Sequence, residues 1–239
     1  MMSRDWRDGS KVEVSFLIPA HNEAPTIGAV VVACQDAARQ LGLSSEVIVI
    51  SDCSTDATSG VASDQGADVI ERFGERGSKA EAVRLGIELS TGRLVFLVDG
   101  DLVGLQGQHL ADIALPVLRG EVLMSVGTFD YRRGGRFVQR APWSTGERII
   151  PREMLNSSDG RLQGYNLEFL MNESVGRVGG LTASQRMLGV RQRSKAAKTS
   201  SRRRGILANI LMWTEISVSV QVPSAVRAMT QLAASTARR

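Results

Sequence analysis

The segment Leu94-Val95-Phe96-Leu97-Val98-Asp99-Gly100-Asp101 combines a continuous apolar run with two carboxylates at its end. A short apolar run of this kind is typical of a strand that is buried on both faces of a parallel sheet. In open α/β sheets, ligands bind at the carboxyl ends of the strands. Two carboxylates separated by one residue suit a hard divalent cation, Mg²⁺ or Mn²⁺, that also binds phosphate oxygens and water. The segment therefore predicts an α/β fold with a metal site at Asp99 and Asp101.

Strand-like and helix-like segments alternate upstream of this run. We predict strands at 12–18, 46–50, 68–71 and 93–98, with helices at 26–40 and 79–89 and a helix through Asp64 that Ser54 or Asp56 can cap. This order predicts a mostly parallel sheet flanked by helices, with right-handed crossovers. Asn22, Glu23 and Asp52 follow two of these strands, as the acidic pair follows the fourth. We therefore expect these polar side chains to gather at one edge of the sheet.

The second half of the chain has a less regular pattern. We predict, in order, a strand at 122–129, a basic loop at 131–143, an irregular segment after 144–148, a helix at 164–173 and a pair of short strands within 177–190. Residues 195–205 are the best linker candidate, and 206–219 and 224–234 have the pattern of amphipathic helices.

Length, net charge, cysteine content and apolar stretches limit the kinds of protein to which the chain can belong. The length of 239 residues fits one α/β domain with a small appendage, and a net charge of +4 is too small to indicate a nucleic-acid-binding protein. Cys34 and Cys53 are the only cysteines, which fits a reducing compartment. The first residues lack the apolar core of a signal peptide, and no stretch is apolar enough to span a bilayer. We therefore expect a cytoplasmic protein, with peripheral membrane contact left open.

Four blocks in the first half keep the order and spacing of one known family. They are residues 14–23 (VSFLIPAHNE), 49–58 (VISDCSTDAT), 77–86 (GSKAEAVRLG) and 91–102 (TGRLVFLVDGDL). Through these blocks the chain resembles family 2 glycosyltransferases with the GT-A (Rossmann-like) fold. Residues 144–148 (STGER) and 164–168 (GYNLE) resemble acceptor-side motifs of the branch that contains glucosyl-3-phosphoglycerate synthases and polyprenyl-phosphate sugar transferases.

The resemblance assigns the nucleotide-sugar donor to residues at the strand ends. The implied donor-binding residues are Pro19, Ala20, Asn22, Glu23, Asp52, Lys79, Asp99 and Gly100. Glu23 would accept from the ribose hydroxyls and Asp52 from a pyrimidine N–H, while the Lys79 cation suits the diphosphate. Asp101 would be the direct metal ligand, and Asp99 would face the ribose or the sugar side of the diphosphate.

The resemblance also implies an acceptor site in the second half. Glu168 is the candidate that orients or deprotonates an acceptor hydroxyl, and Arg148 is the candidate for an acceptor phosphate, together with Tyr165. Residues 188–193 (LGVRQR) resemble a late segment in which this branch often carries His, whereas this chain has Gln192. No third protein ligand is therefore assigned to the metal.

The resulting hypothesis is a metal-dependent glycosyltransferase that moves a sugar from a nucleotide-sugar, with a UDP-sugar as first choice, to a hydroxyl or phosphate acceptor. Residues 1–128 would bind the donor, 129–193 would form the acceptor side of the same domain, and 194–239 would form a basic linker and C-terminal helices. The acceptor would be a phosphorylated small molecule or a polyprenyl phosphate.

Other functional classes compete with this hypothesis. A sugar-nucleotide pyrophosphorylase is disfavoured, because the loop after the first strand lacks the glycines and basic residues that would hold a triphosphate. Neither a P-loop nor a dinucleotide fingerprint is present, which argues against a kinase-like NTPase or a dehydrogenase. A non-catalytic binding protein that retains the fold stays open.

The basic C-terminal segment has two interpretations. Every ionised side chain from Arg186 to Arg204 is basic, and an apolar stripe around Trp213 follows. The segment either meets an anionic membrane surface or acceptor, or is a linker to a helix that packs on the core or on a second subunit of a homodimer.

Overall fold

The computed structural model describes residues 12–74, 77–133, 136–139, 145–156 and 167–193, with only the backbone for 130–133, 136–139 and 156. The predicted acceptor residue Tyr165 and the whole predicted linker and tail, 194–239, lie outside these ranges. Within the described part of the chain, no helix has the length and apolar character needed to cross a membrane.

The described strands follow the predicted alternation closely in the first half. They are β1 (Val14–Ala20), β2 (Ser45–Asp52), β3 (Asp68–Arg72), β4 (Leu94–Leu97), β5 (Leu102–Val103), β6 (Met124–Thr128), β7 (Asp130–Arg133), β8 (Arg136–Gln139), β9 (Arg148–Pro151), β10 (Thr182–Arg186) and β11 (Arg191–Gln192). The helices are α1 (Ala24–Leu41), α2 (Thr58–Asp64), α3 (Lys79–Leu89), α4 (Gly107–Leu118), α5 (Glu153–Asn156) and α6 (Leu167–Arg177).

The central sheet has seven strands in the order β10-β6-β9-β4-β1-β2-β3. Strands β4, β1, β2 and β3 are mutually parallel. Strand β9 is inserted between β4 and β6 and runs antiparallel to both, while β10 is parallel to β6. The mostly parallel α/β sheet predicted from the sequence is therefore confirmed, with one antiparallel strand joining its two halves.

Helices cover both faces of this sheet, which explains the continuous apolar runs of its strands. On one face, Ile18 of β1 belongs to a buried cluster with Val30 of α1 and Ile113 of α4. On the other face, Leu17 of β1 belongs to a second cluster that includes residues of α3 and α6. Successive residues of one strand thus enter opposite halves of the core.

Helix α3 packs closely on the sheet at Gly86. A Cβ at Gly86 would lie 2.8 Å from Cδ1 of Ile50 on β2. The first residue of the helix, Lys79, lies beside Asp99 in the loop after β4.

Several predicted boundaries were wrong. Strand β1 continues through Pro19 and Ala20, which were expected to break it; β1 still pairs with β2 there, whereas β4 has already ended at Leu97. Residues 131–133 and 136–139, expected as part of a loop, lie in the antiparallel strands β7 and β8.

The expected irregular segment after residues 144–148 contains β9, whose residues Ile149 and Ile150 are fully buried. Helix α4 was not predicted, although it packs on α1 and carries Pro116 within its length. The second-half helix begins at Leu167 and ends at Arg177 rather than spanning 164–173.

Candidate active site

The loops after β1 and β2 are joined by side-chain hydrogen bonds. Asn22 adopts a left-handed backbone (φ 56°), and its Oδ1 accepts from the Thr55 amide at 2.8 Å. Its own amide donates to Oγ of Ser54 at 3.2 Å. The next amide, of Glu23, donates to Oγ1 of Thr58 at 2.8 Å. These contacts fix the shape of the strand-end edge where the predicted donor residues Asn22 and Glu23 lie.

The loops after β1 and β4 also meet. Pro19 and Ala20 are the last residues of β1, and a Cβ at Gly100 would lie 3.3 Å from Cβ of Ala20. The hydroxyl of Thr26 in the first turn of α1 donates to the Gly100 carbonyl at 2.8 Å. The chain therefore brings three predicted donor residues, Pro19, Ala20 and Gly100, into one place.

Asp52 closes β2 and is held by two neighbouring elements. Its side chain is only 5% exposed, Oδ1 accepts from Arg72 of β3, and Oδ2 accepts from the amide of Ser78. Glycine is required at position 77, because a Cβ there would lie 2.9 Å from Oδ2 of Asp52. The carboxylate thus links β2 to β3 and to the start of α3.

Arg72 was not predicted as a site residue. It is the last residue of β3, the neighbour of β2, and the Asp52 carboxylate raises the pKa of its guanidinium. The sequence carried one signal for Arg72, because it lies at the carboxyl end of a strand predicted to be parallel. Residues after the other three predicted strands of the first half were named as site candidates, whereas none was named after this strand.

Lys79, the first residue of α3, connects two predicted acids. Its ammonium lies 2.7 Å from Oδ1 of Asp99 and 3.2 Å from Oε1 of Glu168. Burial alone would lower the pKa of Lys79, but the negative charges of Asp99 and Glu168, with a smaller effect from Glu147, outweigh it and raise the pKa above its usual value. Lys79 therefore remains a cation across the physiological pH range.

The second oxygen of Asp99 is also occupied by a protein donor. Nε2 of Gln192 on β11 donates to Oδ2 of Asp99 at 3.0 Å. Strand β11 pairs antiparallel with β5, the two-residue strand that follows Asp101, and the Arg193 amide donates to the Asp101 carbonyl at 2.8 Å. The late segment is therefore brought directly to the acidic pair.

The backbone at Gly146 lies directly against the Asp99 carboxylate. A Cβ at Gly146 would lie 2.6 and 2.7 Å from the two carboxylate oxygens of Asp99, closer than real Cβ atoms approach other atoms. Gly146 was not predicted as a site residue, although it falls within the STGER motif.

Arg148 is buried rather than open to an acceptor. Its exposed fraction is 0%, and its guanidinium donates to the carbonyls of Thr145 (3.2 Å) and Glu168 (3.1 Å) and to Oδ1 of Asn172 (3.1 Å). These contacts hold α6 against β9 and so position the backbone of Glu168. The geometry does not support the predicted contact between Arg148 and an acceptor phosphate, and the structure assigns the side chain to packing.

The donor set at the end of β4 fits a divalent cation bound together with a nucleotide. Among the described residues, no group of three or more His, Cys, Asp and Glu side chains could hold a metal alone. Two carboxylates, at Asp99 and Asp101, leave positions that diphosphate oxygens and water can fill. Both oxygens of Asp99 accept from protein donors, Lys79 and Gln192, so a cation bound there would share this carboxylate with them.

The family model described as "Glycosyl transferase family 2" matches residues 15–172, about two thirds of the chain. The matched range contains every donor and acceptor residue predicted above. No curated protein matches the chain significantly.

Several solved structures of glucosyl-3-phosphoglycerate synthase from Mycobacterium tuberculosis are similar to the chain. One, in complex with Mn²⁺, UDP and glucosyl-3-phosphoglycerate, is 25% identical with a TM-score of 0.62, covering 77% of this chain and 72% of the other. Another, with Mn²⁺, UDP and phosphoglyceric acid, is 25% identical with a TM-score of 0.63, covering 84% and 78%. A third, with Mg²⁺ and UDP, is 24% identical with a TM-score of 0.62, covering 84% and 78%.

Proposed function

Because the chain belongs to glycosyltransferase family 2 and is a nucleotide-sugar-dependent glycosyltransferase, we propose that it transfers a sugar from a UDP-sugar to a phosphorylated acceptor with the help of Mg²⁺ or Mn²⁺. The observation that carries the proposal is the contact of one cation, Lys79, with Asp99 from the donor half and Glu168 from the acceptor half. This contact supports a reaction centre to which both halves of the chain contribute.

The donor base would lie at the end of β2 and β3. Asp52 and Arg72 form an ion pair there, and Arg72 retains a partly exposed side chain, 27%. A guanidinium donates only, so it would face the carbonyl oxygens of a pyrimidine, while the Asp52 carboxylate accepts from a ring N–H. UDP is bound in the similar synthase structures, and this pair of donor and acceptor groups supports the same nucleotide here.

The diphosphate and metal would lie at the end of β4. Asp101, supported by Asp99, would hold the cation, which when bound neutralises the negative charge of the leaving diphosphate. Lys79 supplies a fixed positive charge in the same place, since the surrounding carboxylates keep it protonated. A positive charge that is already in position beside the leaving diphosphate lowers the activation barrier, because the site does not have to reorganise during the reaction.

Glu168 would serve the acceptor. Its carboxylate is largely buried, with a side chain 14% exposed, and its backbone carbonyl is fixed by Arg148. A carboxylate in this position can orient an acceptor hydroxyl or take its proton. Phosphoglyceric acid is bound in similar synthase structures, which supports a small phosphorylated acceptor.

Release of UDP tests the proposal directly. The purified protein is incubated with UDP-glucose or other nucleotide sugars, with Mn²⁺, Mg²⁺ or a chelator, and with 3-phosphoglycerate or a polyprenyl phosphate in detergent. We expect UDP release that requires both a divalent metal and an acceptor.

The control is Asp101→Ala, which should release no UDP above background. Binding of nucleotide sugars without release, for every donor and acceptor tested, would instead favour the non-catalytic binding protein.

A further inference from the structure

We propose that His109, at the start of α4, is a positioning residue of the active site, because it anchors the segment 187–193 that brings Gln192 to Asp99. The proposal rests on the proposed function, since it concerns the acids around which sugar transfer would occur. His109 acts through this segment and is not itself assigned a contact with donor or acceptor.

The segment 187–193 ends at the acidic pair. Nε2 of Gln192 donates to Oδ2 of Asp99 at 3.0 Å, and the Arg193 amide donates to the Asp101 carbonyl at 2.8 Å. The last strand of the segment, β11, is two residues long and pairs with β5, which is also two residues long. A ladder this short is weak by itself, so the position of Gln192 depends on how the preceding residues are held.

The middle of the segment lies against the turn between β5 and α4. A Cβ at Gly104 would lie 2.7 Å from the carbonyl oxygen of Gly189, so the two backbones touch there. The side chain of the preceding residue, Leu188, is mostly exposed and buries little apolar surface that could hold the segment. The backbone of Leu188 is instead hydrogen-bonded by the imidazole of His109.

The two ring nitrogens of His109 have different hydrogen-bond partners. Nδ1 accepts from the Gln106 amide at 3.1 Å, as part of the cap of α4. The hydrogen of the neutral ring is therefore on Nε2, which is the atom that can donate to the Leu188 carbonyl. Burial lowers the pKa of His109, against smaller opposite effects of Asp112 and Leu188, and so favours the neutral ring. One side chain thus ties the start of α4 to the segment that carries Gln192.

Glutamine and glutamate at position 109 separate the two roles of the imidazole. Both side chains have an oxygen that can accept from the Gln106 amide, and both are favoured at this position of a helix cap. Only the glutamine has an NH₂ group that can donate to the Leu188 carbonyl, because an ionised carboxylate only accepts. If His109 only caps α4, His109→Glu should serve as well as His109→Gln. If it positions the segment, only His109→Gln should replace it.

Hydrogen–deuterium exchange in the full chain without ligand is the first measurement. We expect amide exchange in the peptide that contains residues 187–193 to be about tenfold faster in His109→Glu and unchanged in His109→Gln. The thermal unfolding midpoint of His109→Glu should not fall, because a carboxylate in the first turn of a helix is favourable. Gln108→Glu is the matched control, since it adds the same charge to an exposed position of the same turn. Its exchange should match that of the natural chain.

Release of UDP from UDP-glucose, with Mn²⁺ and 3-phosphoglycerate or a polyprenyl phosphate, is the second measurement. We expect a loss of about tenfold or more in His109→Glu, because Gln192 and the backbone beside Asp101 are no longer held in place. His109→Gln and Gln108→Glu should retain activity within about twofold of the natural chain.

Two results would overturn the proposal. One is natural exchange of the 187–193 peptide in His109→Glu. The other is an equal loss of activity in His109→Glu and His109→Gln together with a lower unfolding midpoint in both, which would make His109 a structural residue. Failure of the proposed function has a different signature, because the natural chain would then release no UDP while the exchange measurement would still decide whether His109 holds the segment.

Discussion

The ammonium of Lys79, at the start of α3, lies 2.7 Å from Oδ1 of Asp99, a residue 20 positions further along the chain in the loop after β4. The same ammonium lies 3.2 Å from Glu168, 89 positions away. One cation therefore holds together an acid of the predicted donor half and an acid of the predicted acceptor half.

Removal of this cation should weaken donor binding. In Lys79→Ala, the diphosphate loses a charged partner worth about 1.5–3 kcal/mol, so we expect UDP affinity to fall by about 10- to 100-fold. Calorimetric titration with UDP measures the change. Arg84→Ala is the matched control, since Arg84 lies on the same helix and pairs with Glu81 and Glu88 at the exposed surface. Equal UDP affinity in Lys79→Ala and Arg84→Ala would remove Lys79 from the donor site.

Neutralisation of Glu168 should separate transfer from binding. Glu168→Gln retains an oxygen that can accept from Lys79 but loses the charge and the basicity that an acceptor hydroxyl needs. We expect UDP affinity within about threefold of the natural chain and transfer reduced by about 100-fold or more. Single-turnover transfer at saturating donor measures the second quantity. A variant that lost UDP binding and kept full transfer per bound donor would place Glu168 on the donor side.

An added methyl group at Gly146 should displace Asp99. In Gly146→Ala, a Cβ would lie 2.6 Å from the Asp99 carboxylate, so that side chain must leave its contacts with Lys79 and Gln192. A misplacement of about 1 Å in a reacting site can cost about 100-fold in rate, and we expect a loss of that order in UDP release. Gly60→Ala is the control, because a Cβ there meets nothing within 4 Å. Full activity in Gly146→Ala would show that the position of Asp99 is unimportant.

Arg148 should act on stability. Its removal in Arg148→Ala leaves the carbonyls of Thr145 and Glu168 without their buried donor, at about 1–3 kcal/mol each. We therefore expect the free energy of unfolding in urea to fall by about 3 kcal/mol or more. Arg39→Ala is the control, because the Arg39 side chain is 76% exposed. This change should alter the free energy of unfolding by less than about 0.5 kcal/mol.

A different result for Arg148→Ala would support the prediction from the sequence that Arg148 binds an acceptor phosphate. If Arg148→Ala kept its stability and only raised the acceptor KM, the guanidinium would bind the acceptor phosphate after all.

Local sequence signals were sufficient for the donor half. Helix α3 was predicted with its observed bounds, and in the structure Ser78 caps its start: the hydroxyl accepts from the Glu81 amide at 3.4 Å. The acidic pair was found because a buried parallel strand ends immediately before it. Helix α4 carried a detectable signal as well, since Leu110, Ile113 and Val117 have helical spacing, but Pro116 interrupts the pattern of a good helix.

Pairing over long sequence separations could not be predicted. Strand β9 is only four residues long and ends in Pro151, so its place depends on partners in β4 and β6 that local propensity does not reveal. The contacts of Asp52 with Arg72 and of Asp99 with Gln192 likewise arise from strand neighbours in space. Sequence patterns therefore predicted the acids and Lys79, but not the contacts of these acids with Arg72 and Gln192.

Calorimetric titration of UDP with and without Mn²⁺, in the natural chain and in Asp101→Ala, tests the central claim most directly. The account predicts that Mn²⁺ tightens UDP binding by about tenfold or more in the natural chain, and that Asp101→Ala loses this effect while its unfolding temperature without ligand stays unchanged. The strand-end position of Asp101 is the reason to expect an intact core. Equal tightening by Mn²⁺ in both proteins would contradict a metal site at Asp101.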